Sequence, residues 1–214
     1  MPGEAFFEAY AKDMDSRVLA DPHEAVGGLW DELGPLQFAY LCDNGLRPEN
    51  RFLDVGCGTL RAGRHFIGYL ERGNYTGLEI SAEALRFARS LVSAERLERK
   101  APRLIFNPDG NLRFGQFAGE AFDYILAQSV FTHIGPEHIK ECFAHIGSVM
   151  SQASRFFFTI WEADRVARRG EFAFVYPFSF LAEVAREHGL DVTRRADFKH
   201  PRGQTMVTAF RREA

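Results

Sequence analysis

The chain has 214 residues and a formal net charge of −3, a length that suits one domain around a single core. Its pI near 6.2 argues against polyanion binding as a general property. Three cysteines (Cys42, Cys57, Cys142) without a C-x-x-C spacing read as reduced thiols, and no uncharged apolar run approaches the roughly 18 residues of a membrane span, so a cytoplasmic protein is expected. With 21 Phe against 6 Tyr and 2 Trp, much of the core volume is expected to be phenyl rings.

In chain order, residues 4–19 carry Phe6, Phe7, Tyr10, Met14 and Val18 at helical spacing. A second helical region, punctuated by Gly27–Gly28 and Gly34–Pro35, ends near Asn44–Gly45. Strand and helix patterns then alternate: a strand at 51–55, a helix at 60–71, a strand at 74–80, and a helix capped by Ser81 from 82 to about 99. Residues 103–107 and 122–128 read as further strands, and Gly135–Pro136 opens a helix whose apolar face runs from Ile139 to Met150. Residues 155–161 form a short run, apolar on both faces, as a central parallel strand should be. A helix at 179–188 stops at Gly189, and two last strands, 191–198 and 204–212, are joined by so short a turn that they must be antiparallel.

This order predicts an α/β fold with a Rossmann-like, seven-stranded, mostly parallel sheet, helices on both faces, a C-terminal antiparallel hairpin and an N-terminal helical cap. One domain spans 1–214, with residues 1–45 as the cap and 46–214 as the α/β core. On open sheets of this kind, ligands bind outside the carboxyl ends of the strands. That rule gathers Gly56, Glu79, Asn107–Asp109 and Gln128–His133 around one crevice.

The stretch 52–63, Phe-Leu-Asp-Val-Gly-Cys-Gly-Thr-Leu-Arg-Ala-Gly, is the most informative. A strand turning through Gly56 and Gly58 into a helix is expected to present bare amides at the positive end of a helix dipole. A nicotinamide dinucleotide fingerprint would require glycine at position 61, where Arg61 stands. Over roughly residues 48–212 the chain instead resembles the class I S-adenosylmethionine-dependent methyltransferases. Asp54, Gly56, Cys57, Gly58 and Thr59 look like the first motif of that family, and Glu79, followed by Ile80, like its ribose-binding acid. Asn107 and Asp109 fall where the family contacts adenine. The run from Phe122 to Gln128 and Ser129 looks like the fourth-strand motif beside the reactive methyl. The resemblance implies S-adenosylmethionine as cofactor. The family often has a third glycine where Leu60 stands, and Arg61 after it has two readings: a partner for the methionine carboxylate of the cofactor, or a residue that points to solvent or bridges to a nearby acid.

For a hydroxyl acceptor, a base must take the proton. His133, just past the fourth strand, is the leading candidate, Glu162 and Asp164, past the fifth, are further ones, and His200 in the hairpin turn is a lesser one. The spacing of His133, His138 and His145 does not stack on one helix face, so no metal is expected. Walls for an acceptor are expected from the aromatic residues of 1–45 and from 163–178, where Arg165, Arg168 and Arg169 either meet an anionic group or form a solvated helix face. The expected function is methyl transfer to a small-molecule acceptor, at a hydroxyl oxygen. The alternatives are a nucleic-acid methyltransferase using Arg165–Arg169 and Arg194–Arg202, and a non-catalytic cofactor-binding protein. No membrane partner is expected, nucleic acid is disfavoured by charge, and a homodimer is compatible with the aromatic N-terminal segment.

Overall fold

The computed structural model describes residues 3–212, which divide into two compact units after Gly110. Among the described residues no helix is long and apolar enough to cross a membrane.

The first unit opens with three helices, α1 (Gly3–Ala20), α2 (Pro22–Ala25) and α3 (Trp30–Asp43). Asp21 starts α2 by accepting the amides of His23 (2.8 Å) and Glu24 (3.1 Å) on Oδ1, a side-chain cap for otherwise unpaired donors. Three strands follow, β1 (Phe52–Val55), β2 (Tyr75–Glu79) and β3 (Arg103–Phe106), with α4 (Gly63–Tyr69) and α5 (Ala82–Ala94) between them. They pair in parallel in the order β3-β2-β1, with Asp54 opposite Gly77 and Glu79 opposite Phe106. Every residue of β1 and β2 is buried. Such strands read as apolar runs rather than alternating ones. Ser81 caps α5 as expected, its Oγ accepting the Ala84 amide at 3.0 Å. Met14 and Val18 of α1 pack with Ala25 and Ala84 into one buried cluster.

Three expected helices are shorter than their patterns suggest; the one whose face is expected to run to Met150 ends at Ile146, with Val149 in a 3-10 turn and Met150 opening a strand. Residues 60–62 do not join α4, because Leu60 is left-handed (φ 68) and prolongs the turn after β1. The helix from 82 stops at Ala94, because Arg96 is also left-handed (φ 56) and diverts the chain into a 3-10 turn over Leu97–Lys100.

The second unit holds β4 (Phe122–Ala127), α6 (Pro136–Ile146), β5 (Met150–Ile160), β6 (Ala167–Arg168), β7 (Phe174–Val175), α7 (Phe178–Glu187), β8 (Leu190–Arg195) and β9 (Thr205–Arg211). Four of its strands lie in the order β4-β5-β9-β8. β4 and β5 are parallel, and β9 runs antiparallel to both β5 and β8. Phe131, Phe143, Phe156 and Phe158 are fully buried and meet with ring centroids 4.6–6.5 Å apart, the range in which aromatic pairs add to plain burial. The segment 163–178 is not a helix face. It contains the small antiparallel pair β6–β7; Arg168 bonds back to the carbonyls of Gly170 and Glu171, and Arg169 lies over the Trp161 ring at 5.7 Å.

The seven strands of the sheet, mostly parallel and ending in an antiparallel hairpin, make the Rossmann-like α/β class expected from the sequence.

Candidate functional site

In the first unit the turn after β1 is built on backbone that favours glycine, with Gly56 at φ 70 and Gly58 at φ 55. The expectation of bare amides is corrected by the geometry. The Gly56 and Cys57 amides donate to the Leu78 carbonyl at 2.7 and 3.1 Å, and the Gly58 amide donates to Glu79 Oε2 at 2.8 Å. The seven-residue α4 begins only at Gly63. Cys57 is buried with its sulfur against Gly77, where an added Cβ would lie 2.8 Å from Sγ, and burial pushes the thiol well above its ordinary range. Thr59 donates its hydroxyl to the Pro22 carbonyl at 3.0 Å. Arg61 is buried, not solvent-facing: its Nη1 donates to the carbonyls of Val26 (2.6 Å) and Gly28 (3.0 Å). Helix α3 closes on the same turn, since a Cβ at Gly34 would stand 2.5 Å from the Arg61 carbonyl oxygen.

Glu79, at the carboxyl end of β2, is 6% exposed. Its Oε1 accepts the amides of Ile80 and Ser81 at 2.8 and 2.9 Å, while Oε2 accepts Gly58. Burial raises its carboxyl above the ordinary range, and these three amides pull it back down. A carboxylate offers about four acceptor positions, so three amides leave one on Oε2 that suits a ribose hydroxyl. That donor set fits the adenosine end of S-adenosylmethionine. Asp54 lies beneath: its Oδ2 accepts the Tyr75 hydroxyl at 2.7 Å, and burial pushes its carboxyl up to about 7. Beyond β3 the Asn107 amide donates to the Glu79 carbonyl (2.8 Å), and the turn closes with the Gly110 amide on the Asn107 carbonyl (3.0 Å). Asp109 is exposed on that turn, and Ile80 is half-buried beside Gly110.

In the second unit, Gln128 and Ser129 follow β4 and enter a polar network that sequence reading did not foresee. The Ser129 amide donates to Thr159 Oγ1 (2.8 Å), and Thr159, Ser129 and Gln128 all donate to Gln204 Oε1, at 2.6, 3.0 and 3.1 Å. Gln128 Nε2 lies 3.2 Å from His200 Nε2, and the Arg202 amide donates to His200 Nδ1 at 3.1 Å. The buried Gln128 Oε1 has no hydrogen-bond partner among the described residues. Buried polar atoms are nearly always paired, so this end of the Gln128 amide is a place where a ligand would find a partner. The one sequence signal was His200 itself, in the β8–β9 turn; nothing local pointed to Gln204 or Thr159.

The candidate bases fall in different settings. His133 is half-buried, with Nδ1 2.6 Å from the Phe172 carbonyl. Glu162 is held by Arg194, through Nε (3.1 Å) and Nη2 (2.5 Å), and by the Thr205 hydroxyl (3.2 Å). Both of its oxygens are thus engaged by residues of the last hairpin, which gives Glu162 a scaffolding role there.

Residues 53–156 match the family described as Methyltransferase domain. Among solved structures, a SAM-dependent methyltransferase from Leishmania major aligns with TM-score 0.71 at 14% identity, over 96% of this chain and 83% of that one. The magnesium protoporphyrin IX methyltransferase of Synechocystis PCC 6803, solved with bound SAH, aligns with TM-score 0.68 at 15% identity, over 97% of each chain. A SAM-dependent methyltransferase from Clostridium acetobutylicum gives 0.65 at 14% identity, over 96% of this chain and 98% of that one. At such identities the structures speak for the fold; the family match over β1 to β5 speaks for the cofactor. The match over residues 53–156 and these folds together support a class I S-adenosylmethionine-dependent methyltransferase.

Proposed function

We propose that this enzyme methylates a small-molecule acceptor at a hydroxyl oxygen, with His133 as general base, within a single domain spanning 1–214. The observation that carries the reading is the 2.6 Å contact from His133 Nδ1 to the Phe172 carbonyl. A carbonyl only accepts, so Nδ1 bears the hydrogen and Nε2 of the neutral ring keeps a lone pair for a proton.

When bound, S-adenosylmethionine supplies an electrophilic methyl on a sulfonium, and its leaving group needs no protonation. The protein's part is then alignment, exclusion of water and removal of the acceptor proton. In this reading Glu79 grips the ribose with its remaining acceptor position. Gly56, Cys57, Gly58 and Thr59 shape the turn, with Asp54 supporting it from below. Ile80, Asn107 and Asp109 border adenine, and Gln128 and Ser129 face the reacting end. Arg61 serves by holding the 26–28 loop against the turn rather than by charge on the ligand.

A nucleic-acid substrate draws little support. Arg194 pairs with Glu162 and Arg195 with Asp197, so the arginines of the last hairpin do not form a free basic stripe. The Synechocystis relative, a magnesium protoporphyrin IX methyltransferase, illustrates a small-molecule acceptor on this fold.

The test has two stages. Calorimetry should detect S-adenosylhomocysteine binding to the full chain. Transfer of labelled methyl from S-adenosylmethionine across a panel of phenols, sugars, carboxylates and amines should then favour hydroxyl acceptors. Turnover confined to amines or carboxylates would overturn the oxygen assignment.

A further inference from the structure

Helix α1 carries an apolar stripe, Phe7, Tyr10, Met14 and Val18, at i, i+3, i+7 and i+11. Its second half has an ordinary structural use, since Met14 and Val18 pack against Ala25 and Ala84. Asp15 fixes the helix there, its Oδ1 accepting the Ser81 hydroxyl at 2.5 Å and the Glu83 amide at 3.1 Å. The first half runs past this anchor. It reaches the turn after β3, where a Cβ built on Gly110 would lie 2.6 Å from Phe7 Cγ and 2.8 Å from Ile80 Cδ1. Phe7 is therefore in contact with the Asn107–Gly110 turn next to Ile80, and it is only 6% exposed. Phe6 braces it, ring edge to face, at 5.6 Å.

One turn on, the Tyr10 hydroxyl is pushed above its ordinary range, first by burial and then by the charge of Glu79. The phenol thus feels the charge of the acid at the end of β2. The two aromatics of α1 address the two segments, 79–80 and 107–110, that border the adenosine in the proposed cofactor site.

We infer that the first two turns of α1 are part of the adenosine-binding surface, with Phe7 walling the adenine side and Tyr10 standing over the ribose acid. The inference rests on the proposed placement of the cofactor. Its residues precede all the recognised motifs, in a segment outside the Methyltransferase domain match. Removal of Phe7 leaves Ile80 and Gly110 open to water on that side. An aromatic wall on a purine is worth about a tenfold change in affinity.

The experiment is calorimetric titration of the full chain with S-adenosylhomocysteine and with adenosine, for wild type, Phe7→Ala, Phe7→Leu and Tyr10→Phe. Hydrogen exchange of the α1 amides is followed in wild type with and without S-adenosylhomocysteine. Phe7→Ala should weaken both ligands by about tenfold. Phe7→Leu, which keeps an apolar side chain in the contact, should fold normally and still lose several-fold. Tyr10→Phe should lose about threefold, and amides in the first two turns should gain protection on binding. Wild-type affinity in both Phe7 variants, tighter binding in either, or unchanged exchange would overturn the inference while leaving the cofactor site standing. Failure of wild type to bind S-adenosylhomocysteine would remove the cofactor placement, and this inference with it.

Discussion

The Glu79 carboxylate accepts the Gly58 amide at 2.8 Å across 21 positions of sequence, tying the turn after β1 to the end of β2. A group bonded to three backbone amides is a poor place for a swap of oxygen for nitrogen. In Glu79→Gln, one terminal atom becomes a donor facing amide donors. A buried mismatch of this kind costs about 1–3 kcal/mol, so chemical denaturation should show a loss of that order. S-Adenosylhomocysteine affinity should fall by roughly ten- to a hundredfold. Wild-type affinity in this variant would mean that the acid does not meet the ribose.

Asp54 makes folding pH-dependent, and the sign follows from its environment. Burial raises its carboxyl from 3.8 to about 7, against the pull of the Tyr75 hydroxyl. Between those values the folded state keeps a proton that the unfolded chain has released. Stability therefore falls as pH rises through this window and levels off above it. At about 1.4 kcal/mol per unit, the loss is of order a few kcal/mol. Glu79 shifts in the same direction, whereas His65 and His138 are lowered by burial and oppose it. The measurement is therefore the difference between wild type and Asp54→Asn in denaturant midpoint from pH 4 to 8. The gap should move in favour of the Asn variant as pH rises, and a constant gap would contradict the assignment.

Two helical glycines should respond oppositely to alanine. In a helix interior alanine is favoured over glycine by about 1 kcal/mol. At Gly34 the new Cβ would stand 2.5 Å from the Arg61 carbonyl oxygen, a backbone atom that Arg61 anchors through Val26 and Gly28. Overpacking of this sort costs about 1–3 kcal/mol, so Gly34→Ala should destabilise. At Gly68 nothing lies within 4 Å of the Cβ position, and Gly68→Ala should stabilise by up to about 1 kcal/mol. Thermal melts of the two variants decide the matter.

His133 should affect turnover and not binding. His133→Asn can keep the contact to the Phe172 carbonyl but has no lone pair basic enough to take a proton. Its kcat should drop by roughly 10²–10³, with S-adenosylhomocysteine affinity within about twofold of wild type. A KM change with kcat preserved would reassign His133 to acceptor binding.

Much of this was legible because the information is local. Apolar runs mark β1 and β4, Ser81 announces the start of α5, and the alternation of patterns implies the parallel sheet. Glu79 could be picked out at a strand end near the glycine turn, and its ribose-binding role is what the family resemblance implies. What was not legible depends on partners distant in sequence. Leu60 at φ 68 is held by the surrounding turn, not by leucine's own preference. Arg61 looks like a ligand for a carboxylate until the carbonyls of Val26 and Gly28, 35 and 33 positions away, take its guanidinium. Glu162 looks like a base until Arg194, 32 positions on, is seen to hold it. In each case a tertiary contact overrides what the residue type suggests.

The network around Gln128 is the furthest-reaching of these, and it sets a last expectation. The Arg202 amide occupies the lone pair of His200 Nδ1, so the neutral ring must carry its hydrogen on Nε2. That hydrogen points at the Gln128 amide, 3.2 Å away, and what it needs there is an oxygen. A half-turn of the amide about its terminal bond supplies one and directs the two Gln128 N–H bonds to the buried position that has no protein partner. A matching half-turn of Gln204 would let its nitrogen donate to Gln128, and would take from the Thr159 hydroxyl the acceptor it now uses. Nitrogen-15 shifts of His200 should report protonated Nε2 and bare Nδ1, and the Gln128 side-chain N–H signals should move on ligand binding. Gln128→Glu, which replaces those donors by oxygen, should impair turnover more than Gln128→Met. The opposite tautomer, or a Glu variant as active as wild type, would show that Gln128 presents its oxygen instead.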